Sequence, residues 1–190
     1  MHHFQYKGNE LYAEDVAVKD IVASVGSPVY IYSHATLERH YTAMDEAFAP
    51  VPHTICYSMK ACSNLAVIRL FANLGGGVDI VSGGELYRAL KAGVDASRIV
   101  YSGVGKRVSE IDEALAAGIL MFNVESEDEL MLLDQRAQAA GVCAPVSLRV
   151  TPDVDPLTHP YISTGLKKNK FGIDINQAVT AYRTASRMSD

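Results

Sequence analysis

The sequence predicts an α/β fold in which parallel strands and helices alternate as parts of a (β/α) barrel. From residue 28 onward, short apolar runs recur every ~20–25 residues, and longer amphipathic segments separate them. Three of these segments are followed by Gly93, Gly118 and Gly141, at the position where glycine commonly ends a helix. Polar residues recur where the apolar runs end, as the mouth of a barrel enzyme requires.

Each apolar run is short enough for one strand. We predict strands within Val29–Tyr32, Thr54–Met59, Val78–Val81, Ile99–Ser102, Leu120–Val124 and Val146–Val150. Between them, helical spacing predicts helices over Thr36–Phe48, Asn64–Leu74, Gly84–Ala92, Ser109–Ala117 and Glu127–Ala140. Right-handed βαβ units of this length place their strands side by side in one parallel sheet.

Two helix starts and one long loop can also be assigned. Ser63 is the expected N-cap of the helix that begins at Asn64, and Ser126 with Glu129 forms a capping-box pattern. Residues 151–172 break the rhythm and predict a long loop, which is typically functional or disordered. Helical spacing resumes over Ile175–Arg187.

Composition excludes several classes of function. The chain has 190 residues with 48% hydrophobic and 21% charged residues and a formal net charge of -5, so no basic surface indicates nucleic-acid binding. No apolar run approaches the ~20 residues that cross a bilayer, and no secretory signal begins the chain. Three cysteines without Cys-x-x-Cys spacing predict reduced thiols in a cytoplasmic protein and no metal site.

Side-chain alternation predicts where the site lies. Successive strand residues point to opposite faces, and on one face the residues turn polar toward the C-terminal strand ends. Lys60, Asp79, Asn123, Glu125 and Arg149 are therefore candidates to converge, and Ser102 ends the fourth run. An alternative for Asp79 and Arg149 is a buried ion pair that only orders the core.

Lys60 is the candidate with the most distinctive chemistry. It stands between a strand and a helix start, where βα enzymes carry catalytic groups. An amine there can form a Schiff base with a carbonyl cofactor once its proton is removed. The alternative is a solvated surface lysine.

Three segments together resemble the pyridoxal-phosphate barrel decarboxylases, which include the diaminopimelate, ornithine and arginine decarboxylases. They are Tyr57–Ala61, Gly77–Leu86 and Ser102–Lys106. The stretch Arg149–Asp155, followed by His159–Gly165 and Lys170–Gly172, resembles the diaminopimelate decarboxylase branch in particular. The resemblance runs in register over roughly residues 28–175 and is far more specific than one short motif.

The resemblance implies an incomplete (β/α)8 TIM barrel of the alanine-racemase-like type, with pyridoxal 5'-phosphate as cofactor. It implies that Lys60 is the catalytic residue and carries the cofactor, and that Asp79 and Arg149 also bind it. Residues 1–27 would join a second, β-rich domain, and residues 28–190 would form part of the barrel. The implied activity is decarboxylation of meso-2,6-diaminopimelate to L-lysine and CO2, the last step of lysine biosynthesis, by a homodimer with shared active sites.

Length is the main departure from the family. Its enzymes are about twice this long and a complete barrel needs ~250 residues, so we expect the N-terminal part of such an enzyme, inactive alone. Ser58 stands where the family usually has alanine, and Thr151 where asparagine is common. Two alternatives stay open: a decarboxylase of another diamino acid or of carboxynorspermidine, and a non-catalytic pyridoxal-phosphate-binding barrel protein.

Overall fold

A small antiparallel sheet and a short helix precede the barrel-like part. The computed structural model describes residues 2–152 and 172–188. Strands β1 (Phe4–Lys7), β2 (Glu10–Ala13) and β3 (Val16–Ala17) pair in that order, and helix α1 (Val18–Val25) follows. The Glu14 carboxylate accepts hydrogen bonds from Ser33 Oγ at 2.7 Å and from the Ala35 N–H at 3.0 Å. These bonds tie the sheet to the start of the next helix.

Helices and parallel strands then alternate. The elements are α2 (His34–Phe48), β4 (Cys56–Ser58), α3 (Leu65–Asn73), β5 (Gly77–Ile80), α4 (Gly83–Ala92), a 3-10 turn (Ala96–Arg98), β6 (Ile99–Tyr101), α5 (Val108–Ala117), β7 (Met121–Val124), α6 (Glu127–Ala140) and β8 (Val146–Leu148). Strands β4 to β8 lie side by side in chain order, and every neighbouring pair is parallel. Right-handed connections between such neighbours put their helices on one side of the sheet, as in a (β/α) barrel.

Arg149, which directly follows β8, links this sheet to a further strand. The Arg149 N–H donates to the Val124 carbonyl at 2.9 Å, and the Ile173 N–H donates to the Arg149 carbonyl at 2.8 Å. Strand β9 (Val150–Thr151) therefore follows β8 after Arg149 and pairs in parallel with β10 (Ile173–Asp174), and α7 (Ile175–Ala185) follows. Within the described residues, β4 and β10 each have one neighbour, so the sheet is an incomplete barrel.

The main core lies between this sheet and its helices. Its largest fully buried side chains include Tyr101, Phe122, Met59, Ile68, Ile80, Ile99, Ile111 and Leu133. A second cluster joins α2 to α3 through Tyr41, Val67 and Phe71. Because the apolar face of the strands packs against the helices in this core, the opposite face carries the polar residues.

Several predicted element boundaries are correct. Helix α6 covers Glu127–Ala140 as predicted, and glycines at 93, 118 and 141 end their helices in the left-handed conformation with φ of 90°, 67° and 65°. Ser126 Oγ accepts the Glu129 N–H at 3.2 Å, as a capping box requires. The Glu129 carboxylate instead accepts the Glu125 N–H at 3.0 Å, so the box is not the reciprocal one that was predicted.

Two predictions were wrong. Val29–Tyr32 forms no strand, because no strand of the described residues pairs with it, and Tyr30 is 92% exposed. The N-cap of α3 is Asn64 rather than Ser63, since the Asn64 side chain accepts the Ala66 N–H at 2.8 Å. The short strand β10 was not predicted, because its two residues are defined only by their pairing with β9.

Candidate active site

The inner face of the sheet, which points away from the helices, is polar at its C-terminal end. Ser58, Asp79 and Asn123 lie on this face as predicted, and each is half-buried. Ile80 and Phe122, which alternate with them, are fully buried on the helix side. The C-terminal ends of parallel barrel strands meet at one mouth, so these polar groups share the edge where barrel enzymes place their chemistry.

A chain of hydrogen bonds joins four side chains across this edge. The two oxygens of Asp79 accept hydrogen bonds from Ser58 Oγ at 3.4 Å and from Ser102 Oγ at 2.5 Å. Ser102 Oγ also accepts a hydrogen bond from Asn123 Nδ2 at 2.9 Å. Two hydroxyls thus orient one carboxylate, and an amide orients one of the hydroxyls.

Lys60 lies in the turn that follows β4. The Met59 N–H donates to the Asp79 carbonyl at 3.0 Å, and the Ala61 N–H donates to the Ser58 carbonyl at 3.2 Å. These bonds and the fully buried Met59 side chain fix the turn beside Asp79, while Lys60 is exposed. Within residues 2–152 and 172–188, no hydrogen bond or ion pair occupies its amine. The amine is therefore not held by another side chain of these residues.

Glu125 and Arg149 form a second pair at the same edge. Arg149 Nη1 donates to both carboxylate oxygens of Glu125, at 2.9 and 3.1 Å. The Glu125 side chain is 4% exposed and the Arg149 side chain 41% exposed, so the buried carboxylate holds a guanidinium that reaches solvent. Glu125, at the end of β7, thus orients the guanidinium of Arg149, which follows β8.

The alternative of an Asp79–Arg149 ion pair is wrong. Arg149 pairs with Glu125, and the described residues place no cation within ion-pair distance of Asp79. The five predicted candidates therefore lie at one edge but in separate groups. Asp79 and Asn123 belong to the hydroxyl network, Glu125 and Arg149 form the ion pair, and Lys60 stands in the turn after β4.

Lys106 was not among the predicted candidates, but it lies buried in this region. Its side chain is 1% exposed, and its ammonium donates to Glu129 Oε1 at 2.6 Å and to the Gly103 and Asn123 carbonyls at 2.7 and 2.9 Å. All three of its donors are in use, so it is not a reactive amine. The sequence signal was weak, because a lysine in a glycine-rich loop is usually solvated.

Cys56 lies on the inner face of β4, two residues before Ser58. Burial raises the pKa of its thiol, and the negative charge of Asp79 raises that pKa further. The thiol therefore stays protonated near neutral pH and is not a reactive nucleophile.

The predicted loop 151–172 is described only at its two ends. His159–Gly165 and the residues from Lys170 to Phe171 lie outside the described residues. Gly172 has a φ of 84°, and a Cβ there would lie 2.8 Å from both the Arg149 carbonyl and Thr151 Oγ1. Glycine is therefore required where the chain returns beside Arg149.

Comparison with known proteins gives the family. Residues 34–190 match the model described as "Pyridoxal-dependent decarboxylase, pyridoxal binding domain". The chain belongs to this family. The cofactor of this domain is pyridoxal phosphate, as the resemblance implied.

Individual relatives place the chain within the family. It is 55% identical over 188 residues to diaminopimelate decarboxylase from Haemophilus influenzae, covering 99% of this chain and 45% of that protein. It is 53% identical over 186 residues to diaminopimelate decarboxylase from Vibrio cholerae, with 97% and 45% covered. The chain therefore spans about 45% of the length of the curated relatives that it matches.

Solved structures agree on the fold. Diaminopimelate decarboxylase from M. jannaschii in complex with L-lysine superposes with a TM-score of 0.89 at 38% identity, covering 98% of this chain and 45% of that one. The incomplete barrel predicted from the sequence is thus confirmed as the pyridoxal-binding part of the decarboxylase fold.

The residues at the inner edge suit this cofactor. A Schiff base with an aldehyde needs an accessible amine, and Lys60 is exposed in the turn after β4. The Asp79 carboxylate on the neighbouring strand is held by two hydroxyls. No helix of the described residues is both long and apolar enough to cross a membrane. In the same residues, no three His, Cys, Asp or Glu side chains cluster as metal ligands would.

Proposed function

We propose that this chain supplies the pyridoxal-phosphate-binding part of a carboxy-lyase that converts meso-2,6-diaminopimelate to L-lysine and CO2. The observation that carries this proposal is the identity of 53–55% to two diaminopimelate decarboxylases along nearly the whole chain. The family match also favours an enzyme over a non-catalytic carrier, because the matching family is one of decarboxylases.

Lys60 is the residue that binds the cofactor covalently in this proposal. When bound, pyridoxal phosphate supplies an electron sink for the electron pair that departing CO2 leaves on the α-carbon. Lys60 must present a neutral amine to the cofactor aldehyde, and the turn fixed by Met59 and Ala61 holds its backbone in place. Because its side chain is exposed and without a partner in the described residues, binding displaces no existing ion pair.

Asp79 and Arg149 are the further cofactor-binding residues of the proposal. Asp79 brings a negative charge beside the turn of Lys60, and the hydroxyls of Ser58 and Ser102 fix the direction of its oxygens. Arg149 brings a positive charge from the opposite side of β7, and Glu125 fixes its guanidinium. Such pre-oriented charges act without reorganising during the reaction.

The proposal extends to the domain, the oligomer and the cell compartment in which this part works. Residues 1–27 would join a second, β-rich domain, and the separate antiparallel sheet β1–β3 is compatible with that role. A homodimer with shared active sites follows from the family resemblance. A cytoplasmic location is supported by the three cysteines, all of which are free thiols.

A hybrid protein tests the function. In this hybrid, the present chain replaces the segment of the Haemophilus influenzae enzyme that it matches, so that the rest of the fold is present. The hybrid should release CO2 from meso-diaminopimelate well ahead of ornithine or carboxynorspermidine. Borohydride should fix the cofactor on Lys60, and Lys60→Ala should abolish turnover, whereas Lys91→Ala on the exposed face of α4 should not.

Two results would overturn the proposal. One is a higher kcat/KM for ornithine or carboxynorspermidine than for meso-diaminopimelate, which would change the substrate. The other is a hybrid that takes up pyridoxal phosphate on another lysine, which would remove Lys60 from its role.

A further inference from the structure

Lys106 and Glu129 form the most deeply buried ion pair of the described residues, and the reaction outlined above does not use either of them. The two side chains are 1% and 13% exposed. A buried pair of this kind contributes little to stability by itself, because desolvation of the charges offsets their attraction. The pair instead holds groups at the ends of two strands.

The ammonium of Lys106 connects two strand ends. Its bonds to the Gly103 and Asn123 carbonyls fix the backbone directly after Ser102 and that of Asn123 itself. These are the two residues whose side chains bond each other and lead to Asp79. Beyond the backbone pairing of β6 with β7, one cation thus joins the ends of the two strands that carry the hydroxyl network.

The carboxylate of Glu129 connects the same cation to the second pair. One of its oxygens accepts Lys106 Nζ at 2.6 Å, and the other accepts the Glu125 N–H at 3.0 Å. The Glu125 side chain in turn holds Arg149. One buried ion pair therefore supports both the Asp79 network and the Glu125–Arg149 pair.

We propose that Lys106 and Glu129 are positioning residues that set the relative placement of Asp79 and Arg149 in the active site. This inference rests on the proposed function for its catalytic consequence. Neither residue has a role in the proposed reaction; both act through the backbone of Gly103, Asn123 and Glu125, which lead to Asp79 and Arg149. Misplacement of a catalytic group by about 1 Å can lower a rate by about 100-fold, so the pair matters more for turnover than for stability.

The chain offers a matched control. Arg136 and Asp112 form a bidentate pair between α6 and α5, at 2.7 and 2.8 Å, with side chains 33% and 40% exposed. This pair joins the helices that precede and follow β7 in the chain, but it contacts neither Ser102 nor Asn123. Loss of it removes an ion pair without disturbing the strand ends.

The experiment compares Lys106→Met, Glu129→Gln and Arg136→Met in the hybrid holoenzyme, each assayed well below its melting temperature. We expect Lys106→Met to lower kcat about 10- to 100-fold and to shift the pH midpoint of the bound-cofactor absorbance by about 0.5 unit or more. Glu129→Gln, which keeps the shape but loses the charge, should shift both in the same direction by less. Arg136→Met should leave kcat within about twofold and the pH midpoint unchanged.

The outcomes distinguish the positioning role of the pair from the proposed function. A Lys106→Met enzyme that only melts earlier, with the kcat and pH midpoint of Arg136→Met, would reduce the pair to a structural role. If Lys106→Met fails to fold, Glu129→Gln decides by the same criteria. A hybrid that carries the cofactor on Lys60 without decarboxylating would end the proposed function, while the pH midpoint would still decide the positioning role. A hybrid that binds no cofactor at all would overturn both.

Discussion

Ser102→Ala removes the central member of the hydroxyl network. Its Oγ donates to Asp79 at 2.5 Å and accepts from Asn123 at 2.9 Å, so the variant leaves a carboxylate with one donor fewer and an amide without its acceptor. We therefore expect a loss of stability that exceeds what an exposed serine would show.

The magnitude follows from the two bonds and their burial. A hydrogen bond to a charged group contributes about 1.5–3 kcal/mol and a neutral one about 0.5–1.5 kcal/mol. Ser102 and Asp79 are half-buried, so water replaces part of what is lost. The expected decrease in the free energy of unfolding is about 1–3 kcal/mol.

Ser97→Ala is the control for this measurement. Ser97 Oγ donates to Asp95 at 2.8 Å, which is the same hydroxyl-to-carboxylate chemistry at an exposed position. Its deletion should change the free energy of unfolding by less than about 0.5 kcal/mol. Urea unfolding of both variants in the hybrid provides the comparison. Equal values for the two would show that the network at the strand ends contributes nothing beyond surface hydrogen bonding.

Three further outcomes are expected. Gly77→Ala should destabilise the sheet by about 3 kcal/mol, because its Cβ would lie 2.1 Å from the Arg98 carbonyl, whereas Gly105→Ala meets no atom within 4 Å and should be nearly neutral in urea. Hydrogen bonds to the Val51 carbonyl and Asp45 raise the pKa of His53 above its ordinary 6.5. The contribution of protonated His53 to the free energy of unfolding is therefore complete below pH 6.5 and is lost as pH rises through the folded pKa. The stability difference between wild type and His53→Gln should thus be larger at about pH 5.5 than at about pH 8.5, and a difference that grows with pH would contradict the assignment. The chain expressed alone should aggregate, because strands β4 and β10 leave sheet edges without a second neighbour in the described residues; a monodisperse chain that retains the cofactor through gel filtration would disprove this.

Local patterns explain why much of the fold was predictable. The alternation of apolar runs with helical segments depends on residues two to four positions apart, and it located β4 to β8 and the helices between them. Helix ends at glycines such as Gly93 were equally local. The wrong strand prediction arose where an element needs a distant partner: Val29–Tyr32 has strand-like composition but no strand beside it in the described residues. The wrong N-cap of α3 was a local error of one residue, because Ser63 and Asn64 are both good capping residues.

The sequence by itself determined which residues would face the inner edge, because strand alternation fixes the direction of Ser58, Asp79 and Asn123. Only the tertiary structure decided their partners. The side-chain bonds from one strand to the next join residues 17 to 24 positions apart, one βα unit along the chain, and lateral strand packing brings them together. Because of that packing, Asp79 accepts hydrogen bonds from two hydroxyls and does not pair with Arg149. For the same reason Lys106, which the sequence places in a loop, is buried and pairs with Glu129.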